Sequence, residues 1–68
     1  MRLTTYQAQL SLPASLARVR AARTEIERAG GRLEMTPTDV AGLTTVRIHL
    51  PERYHPEHFV PGLPFYPV

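Results

Sequence analysis

The stretch Leu43-Thr44-Thr45-Val46-Arg47-Ile48-His49-Leu50 constrains this chain more than any other. Val46, Ile48 and Leu50 fall on one side of an extended backbone and Thr45, Arg47 and His49 on the other, the period of two that marks a half-buried strand. Such a strand needs a neighbour on each edge and a cover over its apolar side. The rest of the chain must supply both.

From Leu3 to Leu12 the even positions Tyr6, Ala8, Leu10 and Leu12 are apolar and the odd positions Thr5, Gln7, Gln9 and Ser11 polar, which predicts a second half-buried strand. Pro13 ends it, because proline lacks the N–H of a ladder yet suits a first helical turn. Leu12, Leu16, Val19, Ala22, Ile26 and Ala29 then recur at three- and four-residue steps, predicting one helix from Pro13 to Ala29 with a single apolar stripe. Ser11 and Ser15 lie at its start, where a hydroxyl can cap the first turn. Gly30-Gly31 stops the helix, since glycine takes the left-handed conformation that closes a helix C-terminus. Arg32 to Thr36 alternates as a short strand with Leu33 and Met35 inward, and Pro37 to Gly42 reads as a turn from which Val40 packs inward.

The succession is strand, helix, strand, strand. A right-handed crossover makes the first two strands parallel and leaves room between them for the third, antiparallel to both. The expected fold class is therefore α+β, a three-stranded sheet of order 1-3-2 with one helix on one face, which resembles half of a ferredoxin-like unit. Residues 1–50 form this single domain. Residues 51–68 form a tail with five of the seven prolines, three of them (Pro61, Pro64 and Pro67) at the spacing of a polyproline II helix. A disordered linker is polar, but this tail carries Tyr54, Phe59, Val60, Leu63, Phe65 and Tyr66, so it is expected to dock on its own or a neighbouring subunit through those six residues. The outer edge of the first strand is open to the tail or to a symmetric partner.

Length sharpens the expectation of partners. A chain of 68 residues holds one small core, and with no cysteine it has no disulfide staple, thiolate metal site or thiol nucleophile. Homo-oligomerisation is the remaining way to bury more surface. No apolar run approaches a membrane span and the start lacks the apolar core of a signal peptide, so a cytoplasmic location without membrane contact is expected. The formal net charge is +2, too small to argue for nucleic acid without further support.

Chemistry has few footholds. His49, His55 and His58 are the candidate metal or small-molecule ligands, but Pro56 interrupts their segment and no paired Cys-x-x-Cys or helical His pair accompanies them. Arg18, Arg28, Arg32 and Arg47 are the candidate phosphate contacts, although the helical arginines scatter around the axis among Glu25 and Glu27. The polar sheet face, built from Thr5, Gln7, Gln9, Arg32, Glu34, Thr45, Arg47 and His49, contains no aromatic residue on which a base could stack. There is no Gly-rich phosphate loop, no nucleophile elbow and no cofactor motif. The reading is a non-enzymatic interaction or assembly module, with nucleic-acid binding and ligand binding near the histidines as alternatives.

Overall fold

The computed structural model describes residues 2–68. Strand β1 (Leu3–Leu10) leads to helices α1 (Pro13–Ala21) and α2 (Arg23–Arg28), then to β2 (Arg32–Pro37), β3 (Thr44–Pro51), a 3₁₀ turn (Pro56–His58) and β4 (Tyr66–Pro67). All strand pairs are antiparallel, and the sheet order is β2-β3-β1-β4. The fold is small α+β, with the helices packed on one face of the sheet. It differs from the three-stranded expectation because the tail contributes β4, which pairs Tyr66 with Gln7 and Pro67 with Tyr6. The outer edge of β1 is thus covered, in part, by the chain itself.

Alternation along the strands sorts core from surface. Val46, Ile48 and Leu50 of β3, Ala8 and Leu10 of β1 and Leu33 of β2 are buried beneath Leu16, Val19, Ala22 and Ile26 of the helical layer. Val60 of the tail is buried in the same cluster, with Tyr6, Met35, Tyr54, Phe59, Leu63 and Phe65 packed partly buried against it. The core is therefore shared between residues 3–50 and the tail.

Local geometry departs from the periodic reading at four places. The single expected helix divides at Ala22, whose ψ of −6° interrupts the α-helical path between α1 and α2. Leu12 is the N-cap of α1 and exposed, and no side chain caps that helix, so neither Ser11 nor Ser15 plays the expected role. Leu12 lies two residues past the end of β1, at the entry to α1, where its side chain is exposed. Val40 is also exposed, because the Thr38 hydroxyl accepts from the Val40 N–H at 3.1 Å and bonds the Leu43 carbonyl at 2.9 Å, which holds Val40 at the tip of the turn. Finally, Gly62 has φ +82°, far from polyproline II, so Pro61, Pro64 and Pro67 lie on a turning chain rather than on one extended helix.

The helix end is a Schellman motif. Gly30 has φ 90°, its N–H bonds the Glu27 carbonyl at 3.0 Å, and the Gly31 N–H bonds the Ile26 carbonyl at 2.9 Å. Only Gly30 needs the left-handed backbone. Gly31 has a different reason to be glycine: a Cβ there would meet the His49 carbonyl oxygen at 2.5 Å.

Each sheet edge carries a proline whose backbone faces outward. The Thr38 N–H bonds the Leu43 carbonyl at 3.0 Å, which fixes the phase of the β2–β3 ladder and turns the backbone of Pro37 outward. On the same edge Arg23 Nη1 donates to the Leu33 carbonyl at 3.3 Å. At the other edge the Val68 N–H bonds the Thr5 carbonyl at 3.0 Å, so Tyr66 and Val68 face β1 and Pro67 faces away. Proline at an outward position has no N–H to offer an incoming strand.

Candidate functional site

The face of the sheet opposite the helices is uncovered and carries the densest polar network of the molecule. Odd residues of β1 and β3 and even residues of β2 reach this face by alternation, and the strand register places them in rows. One row runs Tyr66, Gln7, Arg47, Glu34; the next runs Thr5, His49, Arg32. Within the first, Arg47 Nε donates to Gln7 Oε1 at 2.9 Å and Gln7 Nε2 donates to the Tyr66 hydroxyl at 3.1 Å. In the second, Thr5 Oγ1 lies 2.8 Å from His49 Nδ1, and His49 Nε2 reaches across to Glu34 Oε1 of the first row at 2.6 Å. These bonds cross all four strands, and residues far apart in sequence become one rigid polar surface.

The proton positions on His49 follow from its partners. Ionised Glu34 is acceptor-only, so Nε2 carries a hydrogen and Nδ1 accepts from the Thr5 hydroxyl while the ring is neutral. A hydroxyl, an imidazole and a carboxylate in that order can polarise the hydroxyl. Here the three groups lie on an open sheet, and the cleft between the helical layer and the 3₁₀ turn is lined by other residues. Their hydrogen bonds tie β1, β3 and β2 together across the sheet.

Glu34 is held below its ordinary value of 4.5, first by the His49 hydrogen bond; lost solvation opposes this, and the charges of Arg32, His49 and Arg47 reinforce it. A carboxyl lowered on folding stabilises the fold above its unfolded value and loses that contribution as pH falls through the folded value. The melting temperature of the wild type should therefore drop more steeply than that of Glu34→Gln between about pH 5 and about pH 3. Equal acid slopes in a thermal melt would show that this network contributes nothing.

The candidate histidines do not converge. His49 sits on the open sheet face, whereas His55 stacks edge-on against Tyr6 with ring centroids 5.2 Å apart, on the opposite face. The Nδ1 atoms of His55 and His58 are taken by the backbone N–H groups of Glu57 and His55, at 3.3 and 3.0 Å, in a reciprocal cap of the 3₁₀ turn. Each ring then keeps its hydrogen on Nε2, which leaves no lone pair for a metal. Among the described residues no group of three or more His, Asp or Glu side chains is placed to hold an ion.

The candidate arginines divide between two layers. Arg32 and Arg47 lie on the sheet face. Arg18 donates to the Pro61 carbonyl at 2.7 Å and Arg28 pairs with Glu25 at 2.8 Å, both on the helical side. Arg28 is exposed to solvent and pairs with Glu25 one turn back along its own helix. Of the six apolar tail residues, Val60 is buried, Tyr54, Phe59, Leu63 and Phe65 are partly buried against the core, and Tyr66 is exposed on the polar face. Tyr66 is the residue that sequence reasoning missed there. Its two-residue strand is too short for any alternation to show, and only its pairing with Gln7 reveals the face it joins.

No family model, curated protein or solved structure matches the chain. Its function must be argued from its own surfaces. Among the described residues no helix is long and apolar enough to cross a membrane.

Proposed function

We propose that this chain is a non-catalytic assembly module that pairs with a second copy of itself through the open face of the sheet. One observation carries the reading: Leu3, Tyr66 and Val68, three of the exposed large apolar residues, border the polar network on that uncovered face. A small core gains from burying them, and exposed apolar side chains gathered on one face mark contact sites. The same face carries Arg32 and Arg47 beside Glu34, so two copies related by a two-fold axis can set opposite charges against each other. Strand addition is disfavoured, because the prolines turned outward at both edges leave a poor template. The association we propose is face to face, not edge to edge as the open first strand suggested from sequence.

Light scattering over a range of concentrations tests this. The wild type should show a dimer, and Val68→Asp should raise its dissociation constant about tenfold or more, with an unchanged far-ultraviolet spectrum. A single-chain mass up to about 1 mM, where even weak association shows, would overturn the reading.

A second reading is favoured by Tyr66. With Arg32 and Arg47 on the same face, this exposed ring could stack a base of a single-stranded nucleic acid. Glu34 amid those cations opposes phosphate, which is why we place this reading second. Oligonucleotide affinity that falls steeply with salt and weakens in Tyr66→Ala would favour it over self-association.

A further inference from the structure

We infer that the cleft between the helical layer and the 3₁₀ turn is a binding site for a small aromatic carboxylate. This site is separate from the sheet face and stands or falls without it. The cleft has a volume of about 400 Å³ and is lined by Arg18, Ala21, Ala22, Glu25, His58 and Phe59. That volume lies within the range of small-ligand pockets, roughly 300–1,000 Å³. Its apolar part consists of two alanines, whose small side chains leave the room, and the partly buried ring of Phe59. An aromatic ring fits beside Phe59 in an offset or edge-on arrangement.

The charges at the rim select an anion. Glu25 is already engaged by Arg28 at 2.8 Å, which offsets the one acid of the cleft. Arg18 is steadied by its Nη2 bond to the Pro61 carbonyl at 2.7 Å, and its remaining N–H groups are suited to a carboxylate. His58 accepts the His55 N–H at Nδ1, so its Nε2 carries a hydrogen and acts as a donor. A guanidinium and an imidazole N–H above an apolar floor match a ligand with one anionic end and one flat apolar body. Arg18 bonds the tail at the Pro61 carbonyl and His58 belongs to the tail, which brings residues 40 positions apart in sequence into one cleft.

An amide-resolved NMR titration of the full chain with benzoate and with benzamide tests the site, since the two probes share a shape and differ in charge. Benzoate should shift the amides of Arg18, Ala21, Ala22, His58 and Phe59, and benzamide should bind at least about tenfold more weakly, the loss of one charged hydrogen bond. Ala21→Leu, at an exposed position of a helix that tolerates leucine, should fill the cleft and abolish the benzoate shifts without lowering the melting temperature. Absent benzoate shifts, equal affinity for benzamide, shifts confined to the sheet face, or unchanged binding by a folded Ala21→Leu variant would each overturn the assignment.

Discussion

Removing residues 57–68 should leave the remaining chain unfolded at 25 °C. Val60 is 1% exposed, and Phe59, Leu63 and Phe65 pack partly buried against the same cluster. At roughly 2 kcal/mol for a fully buried aliphatic side chain and a fraction of that for each of the others, the tail contributes about 5 kcal/mol. A chain this size, at about 0.1 kcal/mol per residue, holds roughly 7 kcal/mol in all. The deletion also strips the cover from the outer edge of β1 and removes the carbonyl partner of Arg18, so little of that margin survives. The amide spectrum of the shortened chain should collapse to the narrow dispersion of an unfolded polypeptide. A dispersed spectrum with a cooperative melt would show that the chain folds without residues 57–68. Val60→Ala supplies a graded version, with an expected loss of about 2 kcal/mol in denaturant titration.

The second large effect is expected at Gly31. Replacing glycine by alanine where the backbone is ordinary stabilises a protein slightly, by about 0.4–1 kcal/mol, because the unfolded chain has less freedom to lose. Gly31 is not at positive φ, so on backbone grounds alone Gly31→Ala should be mildly stabilising. Packing reverses the sign. The new Cβ would stand 2.5 Å from the His49 carbonyl oxygen, 3.0 Å from Leu50 and 3.1 Å from Ile26. The first is main chain of the central strand and cannot rotate away. Separating β3 from the helix end to relieve that contact should cost about 3 kcal/mol, a fall of about 15 °C in melting temperature for a domain of this size. Gly30→Ala, by contrast, carries the left-handed backbone penalty of about 1–2 kcal/mol. A Gly31→Ala variant as stable as the wild type would mean that the helix end and β3 are not in the close approach described.

These two sites also show where sequence reading succeeds and where it stops. The alternation of Thr45 to Leu50 and of Thr5 to Leu10, the three-four stripe of Leu16, Val19, Ala22 and Ile26, and the glycine at the helix end are all legible. Each depends on neighbours within a turn or two of the same backbone. The doublet Gly30-Gly31 looks like one stop signal, yet one residue serves dihedral freedom and the other serves contact with a strand some 20 positions away. Leu12 and Val40 have core composition and surface positions, because hydrophobicity says what a residue prefers and chain direction says what it can reach.

The candidate site follows the same division. That Thr5, His49 and Glu34 point away from the core follows from strand period alone. That they touch, with Thr5 and His49 separated by 44 positions, requires the register of β1 on β3 and of β3 on β2, and register is settled by which apolar side chains fill the core together. Tyr66 reaches the same surface only because Val60 anchors the tail and brings a two-residue strand to the edge of β1. Periodicity is a local property of the backbone and can be read along the chain. The meeting of distant polar groups is set by long-range packing, whose gain is realised only when the whole core closes.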